Sequence, residues 1–317
     1  MNNYSSIQIF LHDLVLNNNL IKKSLYEIEK FFFLKKVKIY QNEHIFITGL
    51  PRSGTTVLLS FIFSFSKFAS LKYKNMPFIT SPNFSKLFFK KEVKIKERFH
   101  QDGIMFNLNS PEAFDEVFLN TFDEKIIKNE FQNFVNLILL SQNKDRYLSK
   151  NNFLFKRINQ IKTIFPKSKF IIPIREPLQH SYSLLKQHIH FSKLQKKNDF
   201  VRRYMNYLGH FEFGLNHRYW YKPIKFEDTF NINYWLEQWI LFYNKIFKNH
   251  FHNKSCMFIR YEDLTNRKVI EKLVSFIGLP ETKDYEFKSN NHSIENINYD
   301  EKSYSVALNI YDQFNNN

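Results

Sequence analysis

Apolar positions recur at helical spacing through the first forty residues and predict two helices, at about Ile7 to Asn17 and Leu20 to Lys36. The pattern then changes. His44 to Thr48 is a short apolar run, Gly49 to Gly54 is a loop with a glycine at each end, and Val57 to Phe63 is apolar on most sides. These three stretches read as strand, tight loop and buried helix. Phe68 to Tyr73 predicts another strand, and Met76-Pro77 and Ser81-Pro82 mark loops, because the residue before proline is pushed out of the helical region. Ser110-Pro111 predicts a helix start, with Ser110 as N-cap and Pro111 in the first turn.

Further on, the pattern predicts a long amphipathic helix from Asp123 to Ser141 and a strand from Arg146 to Ser149, then a helix to Phe165. Lys169 to Ile174 is a buried strand in which Pro173 favours an edge or terminal pairing position. A helix from Leu178 to His190, a turn at Gly209 to Gly214, a helix from Tyr234 to His250, a strand from Cys256 to Tyr261 and a helix to Ile277 complete the series. Strands separated by helices pair in parallel through right-handed crossovers. The expected fold class is therefore α/β, a three-layer sandwich with a mainly parallel central sheet and a P-loop-like phosphate-binding loop. No boundary divides the 317 residues, so one domain is expected, with residues 1–40 as a helical preface and a polar, Asn-rich, loosely held tail from Asp284 onward.

Composition narrows the function classes. Hydrophobic residues at 43% and aromatics at 18%, with 37 Phe, argue for a packed globular chain and against disorder. One cysteine, Cys256, excludes an internal disulfide and a Cys-rich zinc site, and it reads as a buried thiol in a strand. The net charge of +16 favours anionic partners, although a surplus of Lys, Asn, Ile and Phe also accounts for much of it as solvated surface. No basic segment is interleaved with aromatics as in a nucleic-acid module. The longest uncharged apolar stretch, Ser53 to Ser66, has 14 residues and is too short to span a bilayer, and the N-terminus lacks a basic leader pattern, so a cytoplasmic location is expected.

The candidate chemistry starts at Gly49 to Thr56. A loop entering a helix N-terminus offers unpaired amides and the positive end of the helix dipole to an anion. Gly49 and Gly54 have the spacing of the nucleotide P-loop GxxxxGK[ST], but Thr55 stands at the lysine position and the only cation lies inside the loop, at Arg52. The strand at Lys169 to Ile174 likewise runs into Arg175, where P-loop kinases place an acidic magnesium ligand. A cation there suits a second phosphate, and Ser183, eight residues on, can face the same anion across two helical turns.

Pro51-Arg52-Ser53-Gly54-Thr55-Thr56 resembles the 5′-phosphosulfate loop of sulfotransferases that use 3′-phosphoadenosine 5′-phosphosulfate (PAPS), and Arg175 with Ser183 resembles their 3′-phosphate motif. Glu97 to Glu116, Leu148 to Asn152, Pro177 to His180, Leu208 to Leu215 and Arg260 to Asp263 are similar to segments of bacterial members, so the resemblance covers about residues 40 to 280. It departs from the cytosolic branch at Arg52, where that branch carries lysine. The resemblance implies PAPS as co-substrate, no metal, and transfer of a sulfuryl group to an acceptor hydroxyl or amine. Nucleotide contacts would come from Pro51, Arg52, Ser53, Gly54, Thr55, Thr56, Arg175 and Ser183. Arg52 would also act in catalysis, His100 is the first candidate base, with Glu112 and Asp102 next, and Lys150 could reach the sulfuryl group. A P-loop kinase is the rival enzyme class and a basic nucleic-acid-binding protein the rival binding class. The residues identify neither the acceptor nor the oligomeric state.

Overall fold

The computed structural model describes residues 5–37, 43–88, 95–97, 103–122, 124–287 and 297–316. The helices are α1 (Ser6–Asn17), α2 (Asn19–Phe33), α3 (Thr55–Ser64), α4 (Ser85–Phe88), α5 (Asp115–Leu119), α6 (Glu124–Gln142), α7 (Ile158–Ile164), α8 (Pro177–Lys197), α9 (Asp199–Tyr207), α10 (Ile232–His250), α11 (Arg267–Phe276) and α12 (Glu301–Asp312). The strands are β1 (Ile45–Ile47), β2 (Phe68–Ala69), β3 (Lys96–Glu97), β4 (Met105–Phe106), β5 (Arg146–Lys150), β6 (Lys169–Ile174) and β7 (Cys256–Arg260). Five of them form a sheet in the order β2-β5-β1-β6-β7 with every pair parallel, while β3 and β4 make a separate antiparallel pair.

Alternation along the strands divides two cores. Phe46, Phe170, Ile172 and Ile174 enter the larger one, under α6, α8 and α10, while Ile45, Ile47, Ile171 and Ile259 enter a smaller one packed by α3 and α11. Because successive side chains of a strand point to opposite faces, a sheet covered on both sides needs uninterrupted apolar strands, and β1 and β6 supply them. Thus the α/β sandwich with a parallel sheet stands as expected. Among the described residues no helix is long and apolar enough to cross a membrane.

One local expectation narrows and two change. Of the two positions expected for Pro173 the terminal one holds: β6 is interior, between β1 and β7, and Pro173 pairs with Ile259 beyond the end of the β1 pairing. Its ring faces Gly49, so its missing N–H leaves no ladder bond unmade. Ser110-Pro111 does not start a helix. The Ser110 hydroxyl accepts the Asn107 N–H at 3.0 Å, Pro111 bridges Lys72, and Glu112 N–H donates to Leu71 O at 3.0 Å, so no helix begins before α5. The tail is also not loosely held throughout. Asp300 caps α12, which packs on α8 and α10 and buries Ala307, Ile310 and Tyr311, and Phe314 is buried in the turn just past its end. An Asn-rich composition hid these four positions because their apolar period is short.

The preface turns an unusual face inward. Helix α2 buries Lys22, Tyr26 and Glu29 and leaves Leu20, Ile28 and Phe31 exposed. Glu29 tolerates burial because the Asn83 N–H, the Asn83 amide and the Phe84 N–H all donate to its carboxylate.

Candidate functional site

The ends of β1, β5, β6 and β7 open on one side of the sheet, as expected for a parallel sheet whose ligands bind at the carboxyl ends of its strands. There the chain leaves β1, passes through Gly49 to Gly54 and enters α3. Gly54 occupies the N-cap at φ 98°, ψ 5°, a left-handed conformation that glycine adopts without a Cβ penalty. It also has no room for a side chain, since an added Cβ would lie 2.7 Å from Tyr261 Cδ2. The first bond inside α3 runs from Leu58 N–H to Gly54 O, so the amides of Gly54 to Val57 have no acceptor within the helix. The Ser53 hydroxyl donates to Leu50 O at 2.7 Å and ties the loop to itself, so Ser53 is fully buried and contributes shape.

Arg52 holds a left-handed φ of 71° and joins the two candidate anion positions. Its Nε donates to Ser183 Oγ at 3.3 Å, while Arg175 Nη1 donates to the Arg52 carbonyl at 3.3 Å. Arg175 is buried with 3% exposure at the end of β6, its guanidinium over the Tyr261 ring at 4.8 Å. Burial lowers its pKa, and the neighbouring Tyr261 and Glu262 oppose that shift. Glu176, the adjacent carboxylate, is engaged in structure: Oε2 accepts the Gln179 N–H at the start of α8 and Oε1 accepts the Tyr304 hydroxyl. His180 lies beneath the loop with Nε2 2.8 Å from Pro51 O, and burial pushes its pKa down to about 3. It supports Pro51 as a neutral group.

A cavity of about 890 Å³ lies against this end of the sheet. Pro51, Arg52, Gly54, Thr55, Thr56, Arg175 and Ser183 all line it, as do Glu112 and Lys150. Ser53 alone among the expected nucleotide contacts does not. Glu112 accepts the Tyr73 hydroxyl at 2.6 Å and the Ala113 N–H at 2.8 Å, and its Oε1 is 3.8 Å from the Lys150 ammonium. The bridge of Pro111 to Lys72 and the bond from Glu112 N–H to Leu71 O hold Glu112 at the cavity. The next two acids turn away: Asp115 accepts from Tyr147 and Ser149, and Glu116 accepts from Asn151. His100 and Asp102 fall outside the described residues, so of the three candidate bases Glu112 is the one with a described place in the cavity.

Sequence reasoning named segments here without naming the side chains. Asn152, Leu208, His210, Glu212, Phe213 and Tyr261 line the cavity and come from stretches singled out as family-like. Lys186, Gln187 and His190 were missed, although their spacing from Ser183 on α8 is the helical i, i+3, i+4, i+7 and marks one face. Among the described residues no cluster of His, Cys, Asp and Glu could hold a metal ion. Chemically, the arrangement offers helix-start amides and two arginines to an anionic ligand, and a carboxylate and an ammonium to a group beside it.

Residues 44–284 match the family model described as "Sulfotransferase family". No curated protein matches. Among solved structures, sulfotransferase STF1 from Mycobacterium tuberculosis H37Rv is similar over 98% of this chain and 86% of its own, at 11% identity and a TM-score of 0.55. STF9 from Mycobacterium avium covers 94% and 75% at 11% identity and a TM-score of 0.46. Mouse SULT7A1, solved complexed with PAP, covers 92% and 71% at 12% identity and a TM-score of 0.34. At such identity the likeness to STF1 speaks for the fold, whereas the family model spans more than half of the chain. The chain belongs to the sulfotransferase family.

Proposed function

We propose that the protein transfers a sulfuryl group from PAPS to an acceptor hydroxyl. The observation that carries this reading is Arg52. One guanidinium at the mouth of the α3 loop touches Ser183, and its own carbonyl receives Arg175, so the candidate 5′ and 3′ subsites are parts of one surface. A single nucleotide with an anion at each end fits that surface. A P-loop kinase fits less well, because Thr55 replaces the lysine and the carboxylate nearest the end of β6, Glu176, caps α8.

In the reaction the acceptor oxygen attacks sulfur, the new O–S bond forms as the bond from sulfur to the 5′-phosphate oxygen breaks, and 3′-phosphoadenosine 5′-phosphate (PAP) leaves. The amides of Gly54 to Val57, the hydroxyls of Thr55 and Thr56 and the Arg52 guanidinium neutralise charge that builds on the departing phosphate. Arg175 and Ser183 hold the 3′-phosphate. Glu112 takes the acceptor proton, and Lys150 stands 3.8 Å from it, ready to hold the sulfuryl oxygens or the developing charge between donor and acceptor.

Thermal denaturation tests the donor. PAP should raise the melting temperature well above the shift given by AMP or ATP, with EDTA making no difference. Equal shifts for the three nucleotides would refute the assignment.

A further inference from the structure

The cavity continues well past the anion subsites, and its far wall differs in chemistry. Helix α8 carries Ser183 at one end of the cavity-lining stripe and Phe191 eight residues on, a displacement of about 12 Å at the helical rise. Past the polar Lys186, Gln187 and His190 the lining becomes Phe191, then Val201, Tyr204 and Met205 from α9, Leu208 at the C-cap of that helix, and Phe213. All six are buried side chains that still border the cavity. Helix α9 is strongly amphipathic, and its polar face points elsewhere: Arg203 pairs with Asp13 and Asp199. A second apolar wall stands beside Glu112. Tyr73, which donates to Glu112, has its ring 4.3 Å from Phe106 and 5.6 Å from Phe114.

Charge on the acceptor side is mixed. Glu112 is paired with Lys150, Glu212 accepts the Asn152 amide at 3.0 Å, and Lys186, His190 and His210 also line the cavity. An anionic glycan or acidic peptide could place part of its charge there but would have to set the rest against the apolar wall, at a cost for each buried charge without a partner. Polyhydroxylated sugars would leave many hydroxyls unmatched against aromatic and aliphatic walls, at a cost for each buried polar group without a partner.

We infer that the acceptor is an uncharged alcohol or phenol with an extended apolar body, its hydroxyl at Glu112 and its body along the α8–α9 wall. This inference rests on the sulfotransferase reading for the chemistry at the hydroxyl, but the wall itself can be tested without turnover.

The test uses 4-alkylphenols from methyl to hexyl as probes, titrated by calorimetry into the full-length protein with and without PAP, alongside N-acetylglucosamine and a tyrosine peptide flanked by aspartates. Affinity should rise about threefold to fourfold for each methylene, the gain for burying a CH₂, until the wall is covered. Transfer from sulfur-labelled PAPS should follow the same order in kcat/KM. Val201→Trp and Leu208→Trp, which fill the wall, should weaken hexylphenol at least about tenfold, leaving methylphenol and PAP affinity within about twofold. Should either variant fail to fold, Met205→Gln sets an amide on the same wall at similar volume and should weaken hexylphenol about tenfold. A flat chain-length series, tighter binding of the sugar or the acidic peptide, or unchanged hexylphenol binding in the folded variants would overturn the inference. Failure of PAP to bind, with the chain-length series intact, would overturn the donor reading instead and leave the apolar acceptor wall standing.

Discussion

Gly54→Ala should damage the site in two separable ways. At φ 98° an alanine Cβ strains the backbone, which costs about 1–2 kcal/mol for an L-residue held in the left-handed region. The same Cβ would sit 2.7 Å from Tyr261 Cδ2 and 3.4 Å from Cε2, so the ring must move, an overpacking cost of about 1–3 kcal/mol. The expected loss in urea denaturation is thus about 2–5 kcal/mol. Displacing the ring also removes the platform under Arg175, so PAP affinity should fall further than stability alone requires. The Tyr261→Ala background separates the parts. There Gly54→Ala should cost only the backbone share, about 1–2 kcal/mol, and the coupling between the two positions should equal the steric share. Equal losses in both backgrounds would show that the ring does not press on Gly54 and would refute the reasoning.

Three other expectations follow from particular groups. Glu112→Gln keeps an acceptor for Tyr73 but cannot take a proton, so turnover should drop by about 10² to 10⁴ with PAP affinity unchanged, and wild-type turnover in this variant would return the role of base to His100 or Asp102. Tyr311→Phe removes the donor to Glu262 Oε2, whose other oxygen holds the Glu176 N–H next to Arg175, so it should lower stability by about 1–3 kcal/mol and weaken PAP binding; an unchanged urea midpoint would argue against this tie. Stability should also fall as pH drops from 6.5 to 5. Burial pushes the His44 and His180 pKa values down to about 4 and about 3, so the unfolded chain takes up protons that the folded chain refuses, and each imidazole costs about 1.6 kcal/mol over that range. Asp115, pushed up to about 6 by burial, binds its proton earlier when folded and returns about 1.2 kcal/mol, for a net loss of about 2 kcal/mol from these three groups. Stability that stays level or rises on acidification from 6.5 to 5 would contradict this balance.

Local signals in the chain were enough for the main strands of the sheet and for the loop and arginine of the candidate anion site. Apolar runs of strand length located β1 and β6, and the two glycines located the loop before α3, because these features depend on backbone conformation within a few residues. The arginine at the end of β6 and Ser183 on the following helix were legible for the same reason: both lie on one continuous stretch of chain. Position in space was another matter. Pro173 reads as an edge or terminal residue by its missing donor, and only the pairing of β6 on both sides, with Pro173 past the end of β1 and beside Gly49, decides for the terminal place on an interior strand. Ser110 reads as a helix cap, but the bridge of Pro111 to Lys72 keeps the segment out of a helix until α5, and with it Glu112 borders the cavity while Asp115 and Glu116 bond elsewhere. Tyr304 and Tyr311 lie in a stretch whose composition suggested little order, yet they fasten the ends of β6 and β7 from more than forty residues away. The sequence by itself determined the main strands and the helices between them, hence the parallel sheet, and the loop and arginine that are candidates to meet an anion. The tertiary structure decided which acid faces the cavity, what lies under Arg175, and where polar lining gives way to the apolar wall, because each of these is a contact between segments that no local pattern encodes.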